Sequence, residues 1–128
     1  LREGTSVPRR LSELAILVTA RSWTAQYEWF AHEHQAIEQG VAPEVVEAIR
    51  ARRRPNLTKP DEKVVYDMCA ELYEHKKVSD ATYDAAVEVL GRDMVIELVT
   101  IATFYAMIAM VLVTFEAPVP GGKLPLPE

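Results

Sequence analysis

A single cysteine, Cys69, rules out an intrachain disulfide and any cluster of thiolate metal ligands. It lies in the apolar run Val64-Val65-Tyr66-Asp67-Met68-Cys69-Ala70, where a buried, unreactive thiol is expected. The chain also lacks an excess of positive charge. Fourteen lysines and arginines face nineteen acidic residues, for a net charge of −5, which argues against a nucleic-acid partner. No strand pattern and no internal repeat can be read. There is no basic-then-apolar leader, and together with the lone thiol this points to a reducing, cytoplasmic setting. The first residue is Leu1 rather than Met, from which residues upstream are expected.

What is present fits one domain with one core: 128 residues, 49% apolar and 26% charged. The patterning predicts an all-α fold of six helices. The first runs from Pro8 to Ser22, with Ser6 as a cap and an apolar stripe of Leu11, Leu14, Ala15, Leu17 and Val18. Thr24 is the expected N-cap of the second helix, which ends near Gln39 with Gly40 in the conformation glycine tolerates. Ala42-Pro43-Glu44 opens the third helix, which ends near Arg53, and Pro60-Asp61-Glu62 opens the fourth. Ser79 caps the fifth helix and Gly91 closes it; the sixth runs from Arg92 to Phe115. Residues 1–117 form the helical domain. Residues 118–128, with four prolines and two glycines, form an extended tail.

The sixth helix contains eighteen uncharged residues, Leu98 to Phe115, just long enough for a membrane span. Glu97 and Glu116 flank it, no lysine or arginine anchors it, and four hydroxyl-bearing residues dilute it. A buried helix is therefore expected, with its surplus apolar face covered by other subunits rather than by lipid. The basic run Arg50-Ala51-Arg52-Arg53-Arg54 follows the third helix. It reads either as charge complementing the helix dipole or as an anion or partner patch.

Two carboxylates sit at unusual places. Glu13 lies amid apolar neighbours, where a carboxylate is costly unless it is partnered. Either a salt bridge to Arg10 or Arg21 or a role in a site would explain it. Glu28 opens the second helix, where the dipole favours its charged form. It shares one face with His32, Ala36 and Gly40 at steps of four. His34 is off that face, and His34 and His75 read as surface residues. Glu97 interrupts the sixth helix and reads as a pocket residue or an inter-helix bridge. Tyr27, Trp29 and Phe30 flank the stripe and read as core. A carboxylate and an imidazole one turn apart can exchange protons near neutral pH. With Glu13 they could instead ligate one metal ion, and Glu71-x-x-x-His75 repeats the spacing. The paired Glu-x-x-His motifs of di-iron bundles are missing, and no metal is expected.

The spacing of Glu13, Ala25, Glu28 and His32 resembles the carboxymuconolactone decarboxylase family, which includes the AhpD-type alkylhydroperoxidases. The resemblance is carried by Arg10-Leu11-Ser12-Glu13-Leu14-Ala15-Ile16-Leu17, Tyr27-Glu28-Trp29 and His32-x-x-x-Ala36-x-x-x-Gly40. It continues through Ser79-Asp80, Leu90-Gly91 and Glu97-Leu98 to Tyr105. Redox members place cysteines where Ala25 and Glu28 stand here, so dithiol peroxidase chemistry is not expected. The resemblance implies an AhpD-like helical domain, assembled as a trimer or hexamer, with N-terminal helices ahead of a stretch like Leu1-Arg2-Glu3-Gly4. It also implies a cofactor-free decarboxylation of a small carboxylated lactone resembling 4-carboxymuconolactone. His32 would deliver the proton and Glu28 or Glu13 would hold its tautomer. Arg10 or Arg21 would bind a substrate carboxylate, and Tyr105 would present a hydroxyl. A lyase or isomerase acting on another small acid, or a non-enzymatic oligomeric binding protein on the same fold, are the alternatives.

Overall fold

The computed structural model describes residues 6–128, and the stretch Leu1 to Gly4 lies outside them. Among the described residues there are six α-helices and no strand: α1 Arg9–Ser22, α2 Gln26–Glu38, α3 Pro43–Arg50, α4 Pro60–His75, α5 Asp80–Leu90 and α6 Arg92–Thr114. Helix α1 is the centre. It packs against α2, α3, α4 and α6, while α5 closes the outside against α4 and α6. Every residue from Leu11 to Arg21 is buried, so the apolar stripe understates how deep this helix lies. Its polar residues are tolerated because most of their polar atoms have partners. The Ser12 hydroxyl donates to the Arg9 carbonyl at 3.1 Å and the Thr19 hydroxyl to that of Ala15 at 2.8 Å.

Two expected caps are corrected. Pro8 takes the N-cap position of α1 with no side-chain bond. The Ser6 hydroxyl donates instead to Glu97, tying the chain ahead of α1 to α6. Ala25, not Thr24, precedes α2. Thr24 adopts φ 47°, and its hydroxyl oxygen accepts from Arg21 and Arg52. Ser79 does cap α5, accepting from the Thr82 amide. Gly40 has φ +108°, a backbone conformation that favours glycine. Helix α3 stops at Arg50, short of Arg53.

Residues 118–128 carry no helix, but they are not a loose tail. Val119 and Leu126 are buried. The Gln26 side chain donates to the Leu126 carbonyl at 2.9 Å and accepts from its amide at 2.8 Å. The Arg21 guanidinium donates to the Pro127 carbonyl at 2.9 Å. The strap thus closes over the junction of α1 and α2.

Helix α6 presses Val95, Leu98, Ile101, Ala102 and Ala109 into the core. Its outer face exposes Ile96, Met107, Met110 and Val111. Among the described residues it is the one helix long and apolar enough, by length and composition, to cross a membrane. Its most apolar eighteen-residue window has a mean hydropathy of 2.2, and 28% of that window is buried.

Candidate functional site

The centre of the candidate site is set by which residues face each other where α2 crosses α1. Glu13, wholly buried on α1, lies 2.8 Å from the Nδ1 of His32 on α2. The salt bridges envisaged from Glu13 to Arg10 or Arg21 are not what partners it. As the carboxylate, Glu13 accepts from Nδ1–H and so fixes the tautomer that leaves Nε2 for chemistry. Among the described residues, no side chain bonds Nε2. The Tyr105 ring meets the imidazole edge-on, with centroids 5.4 Å apart at 81°. It braces the plane of the ring from α6. Ala36, one turn further along α2, is fully buried and adds no bulk there.

Glu28 departs from expectation. It is not bonded to His32, and neither carboxylate oxygen has a hydrogen-bond partner although the side chain is buried. Burial pushes its carboxyl up to about 8. A position in the first turn of a helix favours the charged form by only about 0.3–1 kcal/mol. Desolvation of an unpartnered carboxylate is the larger effect. Glu28 is therefore mostly a neutral acid at neutral pH, with a proton it can give. Trp29 beside it is fully buried, with its indole N–H unbonded. Tyr27 and Phe30, expected in the core, are partly exposed.

The structure does not bring the two arginines to His32. Arg10 is held 2.6 Å from Asp61 and 2.6 Å from Glu62 at the start of α4. Both carboxylates hold its guanidinium there. Arg21 bonds Thr24 and Pro127 at the far end of α1. Glu97 serves Ser6 rather than a pocket. His34 is exposed, 3.5 Å from Glu38, and His75 is exposed as well. Cys69 is buried, and burial pushes its thiol up to about 12. Among the described residues, no group of three or more His, Cys, Asp or Glu side chains converges to hold a metal ion.

One polar chain escaped the sequence reading. Tyr73 on α4 lies 2.6 Å from the Thr19 hydroxyl on α1 and donates to the Ala102 carbonyl on α6 at 3.2 Å. Burial, and then Cys69, raise the Tyr73 phenol, and the charge of Glu28 adds to the effect. Three helices are thus bridged close enough to Glu28 to feel its charge. Thr19 was the signal, a second polar interruption in an apolar helix. Comparison with protein-family models, curated proteins and solved structures returned no match to this chain.

Proposed function

We propose that this chain is a cofactor-free lyase of the carboxymuconolactone decarboxylase type, acting on a small carboxylated lactone or a related organic acid. The observation that carries the reading is the His32–Glu13 hydrogen bond, an imidazole oriented by a carboxylate on the most buried helix of the fold. Loss of CO₂ breaks one carbon–carbon bond and leaves its electron pair in the conjugated lactone as an enolate. His32, protonated on both nitrogens and held through Nδ1 by Glu13, delivers the Nε2 proton to carbon. Glu28, neutral near pH 7, is a proton donor on this reading only if substrate binding brings its carboxyl into the site. Arg10 is engaged with Asp61 and Glu62 and Arg21 with Thr24 and Pro127, so either one holds the substrate carboxylate only by giving up such a contact.

The assay follows CO₂ release or the ultraviolet absorbance of the lactone, alongside the imidazole resonances of His32. Turnover is expected. If a panel of carboxylated lactones and related small acids shows neither turnover nor a shift of the His32 signals, the alternative takes over. That alternative is a non-enzymatic oligomeric binding protein on the same fold, or an isomerase of another small acid.

The reading includes a cytoplasmic homo-oligomer, trimer or hexamer. Its support is the outer face of α6, where Met107 and Val111 stand more than half exposed, an arrangement unfavourable in water. Sedimentation at low micromolar concentration is expected to give a trimer or larger. A Met107→Glu/Val111→Lys variant is expected to shift it toward monomer, whereas a stable wild-type monomer would remove the assembly from the proposal.

A further inference from the structure

A cleft of about 360 Å³ opens between α1, α4 and the turn after α3. None of His32, Glu13 or Glu28 lines it. Its charged lining is Arg21, Arg52, Arg53 and Glu74. Three arginines elsewhere are ion-paired: Arg10 with Asp61 and Glu62, Arg50 with Glu47, and Arg54 with Asp67. Among the described residues, the three arginines of the cleft have no carboxylate within 4 Å. This is notable in a chain with an acidic surplus.

The arrangement also holds like charges together. The single hydroxyl of Thr24 accepts from Arg21 at 3.1 Å and from Arg52 at 3.2 Å. Arg21 is 4% exposed, and its Nε is buried without a hydrogen-bond partner. Burial first, and then the charges of Arg52 and Arg50, pull its guanidinium below the ordinary value. Unmatched, partly desolvated cations are costly, and an anion between them relieves the cost. Of the charged side chains lining the cleft, three are positive and one, Glu74, is negative, while Glu128 and Glu47 act on Arg21 and Arg53 only from beyond ion-pair distance. The remaining wall is apolar and aromatic, with Val18, Ile49 and Tyr66. That suits a carbon skeleton, and the volume suits a small molecule.

We propose that this cleft is a binding site for a small organic dianion, such as a dicarboxylate or a phosphate monoester. Buried Arg21 acts as a fixed positive charge at its base, and exposed Arg52 and Arg53 close on the ligand as bidentate arms. The site stands independently of the His32 reading.

The test is calorimetric titration of the full chain with succinate, phenyl phosphate and, as a monoanion control, butyrate. Succinate or phenyl phosphate is expected to bind at least tenfold more tightly than butyrate. Preference between the two identifies the dianion as a carboxylate or a phosphoryl compound. R52Q/R53Q, changed only at exposed positions, is expected to weaken binding at least tenfold. The charge-matched R9Q/R92Q is expected to leave it unchanged. E74Q is expected to tighten binding severalfold, because it removes the negative charge that lines the cleft. The proposal is overturned if neither dianion binds, if butyrate binds equally well, or if R9Q/R92Q weakens binding as much as R52Q/R53Q.

Discussion

Replacing Glu28 with glutamine is expected to leave stability near pH 4 almost unchanged and to raise it at pH 9 by about a few kcal/mol. The sign follows from proton uptake. Burial raises the Glu28 carboxyl from 4.5 to about 8 in the folded chain. Between those values the folded state keeps a proton that the unfolded state has released, so stability falls as pH rises. The fall is complete once pH passes through the folded value near 8, where a charged, unpartnered carboxylate must be held in the core. Glutamine has the same shape and no titration, so its urea midpoint lacks that alkaline loss. Other titrating groups are common to both proteins and cancel in the difference. At this chain length about 1 kcal/mol corresponds to a few degrees in Tm, so a difference on the order of 10 °C is expected at pH 9. Parallel pH profiles for the two proteins would mean that Glu28 finds a partner or solvent.

His32→Ala is expected to lower kcat by roughly a hundredfold or more, the usual scale for losing a positioned proton donor. Glu13→Gln separates positioning from proton transfer. The amide fills the same space but can present either its oxygen or its NH₂ to Nδ1, so the imidazole is no longer held in one tautomer. A fall in kcat of about ten- to a hundredfold is expected, with KM changed little, because Glu13 is wholly buried behind His32. An equal loss in KM would place Glu13 in substrate binding. Unchanged turnover in both variants would move the chemistry away from α2.

The six helices were legible because their periodicity is strong and their ends carry proline, serine and glycine in positions with few alternatives. Ser79 and Gly40 illustrate this, since each meets a backbone need within its own turn. The caps at Ser6 and Thr24 were misread because other partners compete for the same hydroxyls: Glu97 for one, and Arg21 from the preceding turn with the distant Arg52 for the other. That His32 pairs with a nearby carboxylate could be expected from the motif, but the choice of Glu13 over Glu28 could not. Glu28 is only one turn away from His32 in sequence, yet its buried carboxylate makes no hydrogen bond to it, and no local rule ranks desolvation against the helix dipole. The arginines were the least legible. A guanidinium reaches far, and its choice among Asp61, Pro127 and a substrate depends on which elements the fold brings within that reach.

Helix α1 is enclosed on all sides, whereas α2 leaves Tyr27, Phe30 and Ile37 partly open to water. The two halves of the His32–Glu13 pair therefore belong to regions of different persistence. Backbone amides of α1 should exchange with solvent only through global unfolding, and those of α2 through smaller, more frequent openings. Each such opening would carry His32 away from Glu13 while the carboxylate stays in place. The lifetime of the pair is then set by the docking of α2, in which the Gln26–Leu126 clasp at its first turn takes part. The Gln26 side chain, through its grip on the backbone of the strap that closes over α1 and α2, would in this way govern how long His32 stays paired with Glu13.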